Sequence, residues 1–148
     1  MDPEVDLIWR YSCLLGIFWP QVFNHGNHRR AFTYIDDIVE GVIRTLNKVA
    51  TPNPEWSSDD PDPGTSASPC RLDNIGNNNP VMLMDYIDIL EQCLGKKTSK
   101  NMLPLQLGDV PETYAEVSDL VKDVGYKPNT KIAEGIAAFV GWYRGYYK

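Results

Sequence analysis

Residues 29–43 read RRAFTYIDDIVEGVI, and how this stretch is parsed decides the fold. Paired arginines run into a short aromatic and β-branched segment, then a double aspartate, then an apolar pattern. Ile35, Ile38, Val39, Val42, Ile43 and Leu46 recur at the spacing of one helix face, which predicts a helix beginning near Asp36. Asp36 and Asp37 then fall at its start, where carboxylates cap free backbone N–H groups and complement the helix dipole. Arg29 and Arg30 leave two readings open. They are a solvated pair beside a strand, or a guanidinium fork holding an anion.

Working outward, residues 51–69, TPNPEWSSDDPDPGTSASP, contain five prolines among Ser and Asp, which excludes a regular element and predicts a surface insertion within one domain. CRLDNIGN (70–77) reads as a strand running into a Gly and Asn turn. In NNPVMLMDYIDILEQCLGKK (78–97), Asn79 is the expected N-cap and Pro80 the first helical residue. Leu83, Ile87, Leu90 and Leu94 share one face, and Gly95 ends the helix. KNMLPLQ (100–106) is a second extended piece, followed by a short helix over 118–124 closed by Gly125. A last helix over 131–147 is expected to bury Ile132, Ile136, Phe139, Val140 and Tyr143. Strands and helices alternate without internal repeats, which places the chain in the α/β class, with an α+β arrangement as the alternative.

The 148 residues, 43% apolar and 11% aromatic, suffice for a single packed core. A net charge of -6 argues against nonspecific nucleic-acid binding, which needs clustered Lys and Arg. Cys13, Cys70 and Cys93 are widely spaced with no C-x-x-C, so neither a disulfide framework nor a zinc site is indicated, and a reducing, cytoplasmic setting is expected. The apolar run 11–19 is far short of the roughly 20 residues a membrane span requires, and acidic residues precede it. A buried or ragged segment is expected there rather than a signal or an anchor, and no membrane partner.

Other constellations have plain structural alternatives. Asp36, Asp37 and Glu40 have the chemistry of an acid/base or metal cluster but the position of helix caps. His25 and His28 have the spacing of two metal ligands without a third nearby. The terminal WYRGYYK (142–148) suits stacking, yet a helix packing Trp142 and Tyr143 on its own domain is the commoner case.

Taken in order, RAFTYIDDIVEGVIRTL, the Pro-rich loop with its Trp, DNIGNNNPVMLMDYIDILEQCLGKK, KNMLPLQLGDVPETYAE and VGYKPNTKIAEGIAAFVGWYRGYYK resemble the C-terminal part of the extended short-chain dehydrogenase/reductases that act on nucleotide sugars. The UDP-glucuronate 4-epimerase branch is the nearest match, from about residue 20 to 148, with 1–19 not matching. The resemblance implies a C-terminal substrate-binding lobe of such an enzyme with the Rossmann half largely missing. It implies UDP-sugar as ligand, NAD as cofactor of the full-length family, and a family that is often homodimeric. Arg30 matches the arginine that bonds the UDP phosphates. Gln106 and Asp109 match a pair near phosphates and ribose. Val22 and Phe23 match the backbone segment passing the uracil, with Phe32 beside it.

Departures from the family pattern are also legible. Ala31 stands where an Asp is usual, and Ala115, Glu116 and Val117 replace Ala-Asp-Thr, which predicts a lost helix cap at about 1 kcal/mol. No two glycines lie closer than four positions, so the glycine-rich turn for an NAD pyrophosphate is missing, and no tyrosine is followed four positions later by Lys. The expectation is a truncated, catalytically inert piece, binding no NAD alone, that keeps a nucleotide site. The alternatives are an inert fragment that persists only as a partial fold or a binding module, or the lobe of a related nucleotide-sugar 4,6-dehydratase.

Overall fold

The computed structural model describes residues 20–147; the reading of 1–19 as an unrelated segment lies outside them. Where length predicts one core, the described residues form two compact units. The first holds the described chain up to Arg30, Pro80–Thr113 and the chain from Lys131 on, and the second holds Ala31–Asn79 and Tyr114–Thr130. Each buries its own small apolar set, Val22, Ile136 and Val140 in the first, Val117, Leu120 and Pro128 in the second.

In the first unit, β1 (Gln21–Val22) pairs in parallel with β4 (Asn101–Met102). A second sheet has β2 (Arg29–Arg30) at its centre, antiparallel to β3 (Val81–Met82) and parallel to β5 (Glu112–Thr113). Between β1 and β2 a tight turn, Phe23–Gly26, takes left-handed backbone at Asn24, His25 and Gly26. Only glycine fits its last position, because a Cβ on Gly26 would lie 2.7 Å from the Met84 side chain at φ +81°.

The N-cap expected at Asn79 with Pro80 as first helical residue is not what forms. Val81 and Met82 pair across from Arg30 and Arg29, so α2 (Leu83–Leu94) starts three residues later, with Met82 at its N-cap. The Leu83 N–H donates to the His28 carbonyl at 2.8 Å, which satisfies one of the free donors of a helix start. Gly95 ends α2 in the left-handed conformation, as predicted. α2 packs on α4 (Ile132–Tyr146), and Arg144 Nη2 donates to the Leu94 carbonyl at 2.9 Å. Phe139, expected inside, is 41% exposed: Ile136 and Val140, four apart, form the inward stripe, and Phe139 sits against Trp142 and Tyr143 on its flank. Trp142 is likewise exposed rather than packed into the unit.

In the second unit, α1 (Ile35–Leu46) begins after Tyr34, which carries no side-chain cap. Asp36 and Asp37 lie inside the first turn, so the capping expectation does not hold. The inward stripe is Asp37 and Gly41, the latter close enough to Ile75 that a Cβ would come within 2.9 Å of it. Ile35, Val39, Val42, Ile43 and Leu46, the strongly apolar face, are exposed. The strand expected at 70–77 reduces to an isolated bridge between Thr65 and Arg71. Loop 51–69 has no regular element and is held by local bonds. Asp62 accepts from Gly64 N–H and Thr65 Oγ1, and Trp56 Nε1 donates to the Asp62 carbonyl. α3 (Ser118–Val124) ends at left-handed Gly125 as predicted, and the missing cap at Val117 is replaced, since Glu116 accepts the Ser118 N–H at 2.8 Å.

Candidate functional site

The site residues of the first unit converge on β2. Arg30 projects from the central strand of the three-stranded sheet, and the chain preceding β5 wraps its guanidinium. Nη1 donates to the carbonyls of Arg29 (2.9 Å) and Pro111 (3.0 Å), and Nη2 donates to the Val110 carbonyl (2.8 Å) and to Asp109 Oδ1 (3.3 Å). All four Nη hydrogens therefore have acceptors within the chain. Three are backbone carbonyls at normal length. The fourth, to Asp109, is longer.

Asp109 is placed by a tight turn. Its N–H donates to the Gln106 carbonyl at 3.2 Å, and Gly108 in the third position has φ +87°, the conformation such a turn demands of glycine. The turn presents Gln106 and Asp109 at its two ends, with Gln106 exposed and Asp109 32% exposed at its side chain. Asp109 Oδ1 also accepts the Val110 N–H at 2.9 Å. Beside this pair, Arg29 Nη1 lies 3.5 Å from Glu112 Oε1 across the β2–β5 register.

The other expected residues separate. Val22 is buried in β1, where its carbonyl accepts the Leu103 N–H at 2.9 Å, and Phe23 follows half-buried in the tight turn. Phe32 belongs to the second unit, half-buried.

One residue of this cluster was read differently from sequence. His28, considered as half of a metal pair with His25, is 5% exposed and sets Nε2 3.3 Å from Asp109 Oδ2. The two are not aligned as a hydrogen bond, and the buried nitrogen has no hydrogen-bond partner. Among the described residues no group of three His, Cys, Asp or Glu is arranged to hold a metal. The signal that finds His28 is the period of two along an extended chain, which puts residues 28 and 30 on one side.

The described residues do not fit a dinucleotide. Their α-helices begin after Tyr34, Met82, Val117 and Lys131, none of them preceded by the close glycines that let a backbone approach a pyrophosphate. No described helix is long and apolar enough to cross a membrane.

This arrangement of short strands and helices is the α/β fold of part of the extended short-chain dehydrogenase/reductase epimerases. The UDP-glucuronic acid 4-epimerase from Bacillus cereus, in complex with UDP-glucuronic acid and NAD, matches with a TM-score of 0.67 at 24% identity, over 92% of this chain and 38% of that one. UDP-glucose 4-epimerase from Thermotoga maritima, with UDP-glucose, matches with a TM-score of 0.70 at 19% identity, over 97% and 40% of the two chains.

Sequence narrows the relationship. The chain is 55% identical over 127 residues to Protein CapI of Staphylococcus aureus, covering 86% of this chain and 38% of that protein. It is 42% identical over 126 residues to UDP-glucuronate 4-epimerase 2 of Arabidopsis thaliana, covering 84% and 28%. The chain is thus similar to the C-terminal part of UDP-glucuronate 4-epimerases and spans well under half of their length. No protein-family model matches it.

Proposed function

We propose that this chain is the nucleotide-holding part of a UDP-glucuronate 4-epimerase and binds a UDP-sugar on the first unit. Arg30 takes the diphosphate, Gln106 and Asp109 lie near the phosphates and ribose with the Asp109 carboxylate accepting from ribose hydroxyls, and the backbone at Val22 and Phe23 runs along the uracil. The observation that carries this reading is the meeting of Arg30 and Asp109, 79 residues apart, at a turn end that leaves Gln106 and part of Asp109 in solvent. The similarity to epimerases supports the same assignment. Epimerisation at C4, giving UDP-galacturonate through a 4-keto intermediate, depends on NAD. The described residues do not fit that cofactor, so the chain contributes binding and not the hydride step, and it would act in the cytoplasm where nucleotide sugars are made.

Calorimetric titration with UDP-glucose tests this. Binding is expected in the millimolar range or tighter, weakened roughly threefold to tenfold by Gln106→Ala, the loss of one or two hydrogen bonds, with no change in the unfolding midpoint because Gln106 is exposed. Abolition by Arg30→Ala is also expected. No binding at millimolar UDP-glucose, or binding indifferent to both substitutions, would remove the proposal.

A further inference from the structure

The cluster on β2 holds a buried histidine that the nucleotide contacts do not use. His28 Nε2 is buried without a hydrogen-bond partner, yet it faces Asp109 Oδ2 at 3.3 Å, while Oδ1 of the same carboxylate takes Arg30 Nη2 at 3.3 Å. One carboxylate therefore stands between a permanent cation and a titratable ring. Histidine is the side chain whose charge ordinarily changes between about pH 5 and 8.

The remaining charged groups around His28 can be named element by element. From β2 and β5 come Arg29 and Glu112, 3.5 Å apart and mutually balanced. α2, whose Leu83 N–H bonds the His28 carbonyl, carries Asp85 exposed in its first turn. The tight turn before β2 carries His25, also exposed. With His28 neutral, Arg29 and Arg30 are balanced by Glu112 and Asp109, and Arg30 has no spare charge to offer an anion. Protonated His28 adds one positive charge to this set, beside the Asp109 oxygen that Arg30 does not hold.

We propose that His28 is the positioning residue that controls how much of the Arg30 charge is available to the nucleotide. Neutral, it leaves Asp109 to neutralise Arg30. Protonated, it forms an ion pair with Asp109 Oδ2, draws the carboxylate toward itself and releases Arg30 Nη2, whose bond to Asp109 is the long one of its four. Binding of the diphosphate is then coupled to uptake of a proton, and affinity is higher at the acid end of the range in which histidine ordinarily changes charge. Linkage requires the converse: bound nucleotide raises the fraction of His28 that is protonated at a given pH. This inference rests on the nucleotide reading and specifies the regulation of that same site.

The test uses UDP-glucose, whose diphosphate diester keeps its charge between about pH 5 and 8, so the ligand contributes no pH dependence of its own in the window where histidine titrates. Affinity is measured by calorimetry across that window for the whole chain and for His28→Asn, and the imidazole signals of His28 are followed by NMR with and without ligand. The expected result is an affinity about threefold or more higher at the acid end, the effect of one charge a few ångströms from an exposed anion site. His28→Asn is expected to flatten that profile, while the exposed His25 remains in both proteins. In the free protein, the imidazole signals of His28 are expected to differ between the natural chain and Asp109→Asn, a readout independent of ligand and of the stability of His28→Asn. A pH-flat affinity, a profile surviving His28→Asn, or His28 imidazole signals insensitive to Asp109→Asn overturns this inference and leaves the nucleotide reading standing. Absence of UDP-glucose binding at every pH overturns both.

Discussion

Asp37 and Asp109 are each held by partners far away in sequence, one aspartate in each unit, and they end in opposite conditions. Asp37 is buried in the first turn of α1. Its Oδ1 accepts Tyr126 Oη at 3.1 Å and its Oδ2 accepts the Thr130 N–H at 3.0 Å, so both oxygens serve the fold. Asp109 keeps a third of its side chain in solvent, holds Arg30 by a long bond, and turns its other oxygen toward an unpartnered histidine nitrogen. Local sequence does not separate them, since both are acidic residues beside an apolar stretch. What separates them is how many of their lone pairs the folded chain has already claimed.

The largest effect that sharpens this contrast falls on Asp37. In Asp37→Ala the Thr130 N–H loses its acceptor, while the Tyr126 hydroxyl keeps the Asp37 backbone carbonyl at 3.2 Å, and one unsatisfied donor away from water costs about 1–3 kcal/mol. A loss of about 2 kcal/mol is expected, read as a lower urea midpoint. Tyr126 supplies a second readout. Burial, then its bond to Asp37 and the nearby charges of Asp37 and Glu40, hold its pKa above the ordinary tyrosine value against the opposing pull of Arg44. Asp37→Ala is therefore expected to bring phenolate formation to lower pH by ultraviolet titration. A midpoint unchanged within error would mean that Asp37 is as dispensable as a surface cap.

Glu91 is a third carboxylate and lies wholly on the structural side. Burial pushes its pKa up, but bonds from Lys100 Nζ, Lys97 Nζ and the Thr98 N–H outweigh that and hold it at about 2, below the ordinary 4.5. A folded value below the unfolded one contributes stability fully above about pH 4.5, and the contribution fades as pH falls toward about 2. With allowance for solvent screening through exposed Lys97, about 2 kcal/mol is at stake. Urea midpoints at pH 7 and near pH 3 are expected to differ more for the natural chain than for Glu91→Gln. An equal acid sensitivity in the two would assign the loss to other carboxylates.

Local signals decided the elements that ended as read. Gly95 and Gly125 close α2 and α3 because a left-handed residue after an apolar-periodic run is a strictly local requirement. Signals that fail are those where a distant strand competes. Val81 and Met82 look like a first helical turn after Pro80, and only the presence of β2 makes them a strand. Two-residue strands carry no periodicity that a sequence pattern can register. α1 was recognised as a helix with one apolar face, but the inward role of Asp37 was not legible, because a buried Asp37 with three-dimensional partners looks identical in sequence to an exposed cap. At the site, Arg30 was open between two readings on its own residues, and the resemblance to nucleotide-sugar enzymes tipped it toward the anion. That Arg30 meets a histidine through Asp109 was not legible, since residues 28 and 109 are brought together only by the β2–β5 pairing.

The smallest expected effect is also the one that discriminates best between the two aspartates. Asp109→Asn keeps the shape of the side chain and an oxygen able to accept from the Val110 N–H or from Arg30, while it removes the charge. Because Arg30 retains the Val110 and Pro111 carbonyls at 2.8 and 3.0 Å, its clamp on residues 110–111 survives, and a partly exposed ion pair contributes only about 0–1 kcal/mol. The urea midpoint is therefore expected to move by less than about 1 kcal/mol. Meanwhile UDP-glucose affinity at neutral pH is expected to change in a way stability cannot explain: the uncompensated Arg30 charge favours the diphosphate, and the loss of a carboxylate acceptor disfavours the ribose. Titration with inorganic pyrophosphate, which has no ribose, isolates the first of these and is expected to show tighter binding in Asp109→Asn than in the natural chain. If Asp109→Asn instead unfolds the protein as readily as Asp37→Ala, Asp109 is a structural residue after all, and the distinction between a carboxylate spent on the fold and one held for a ligand fails.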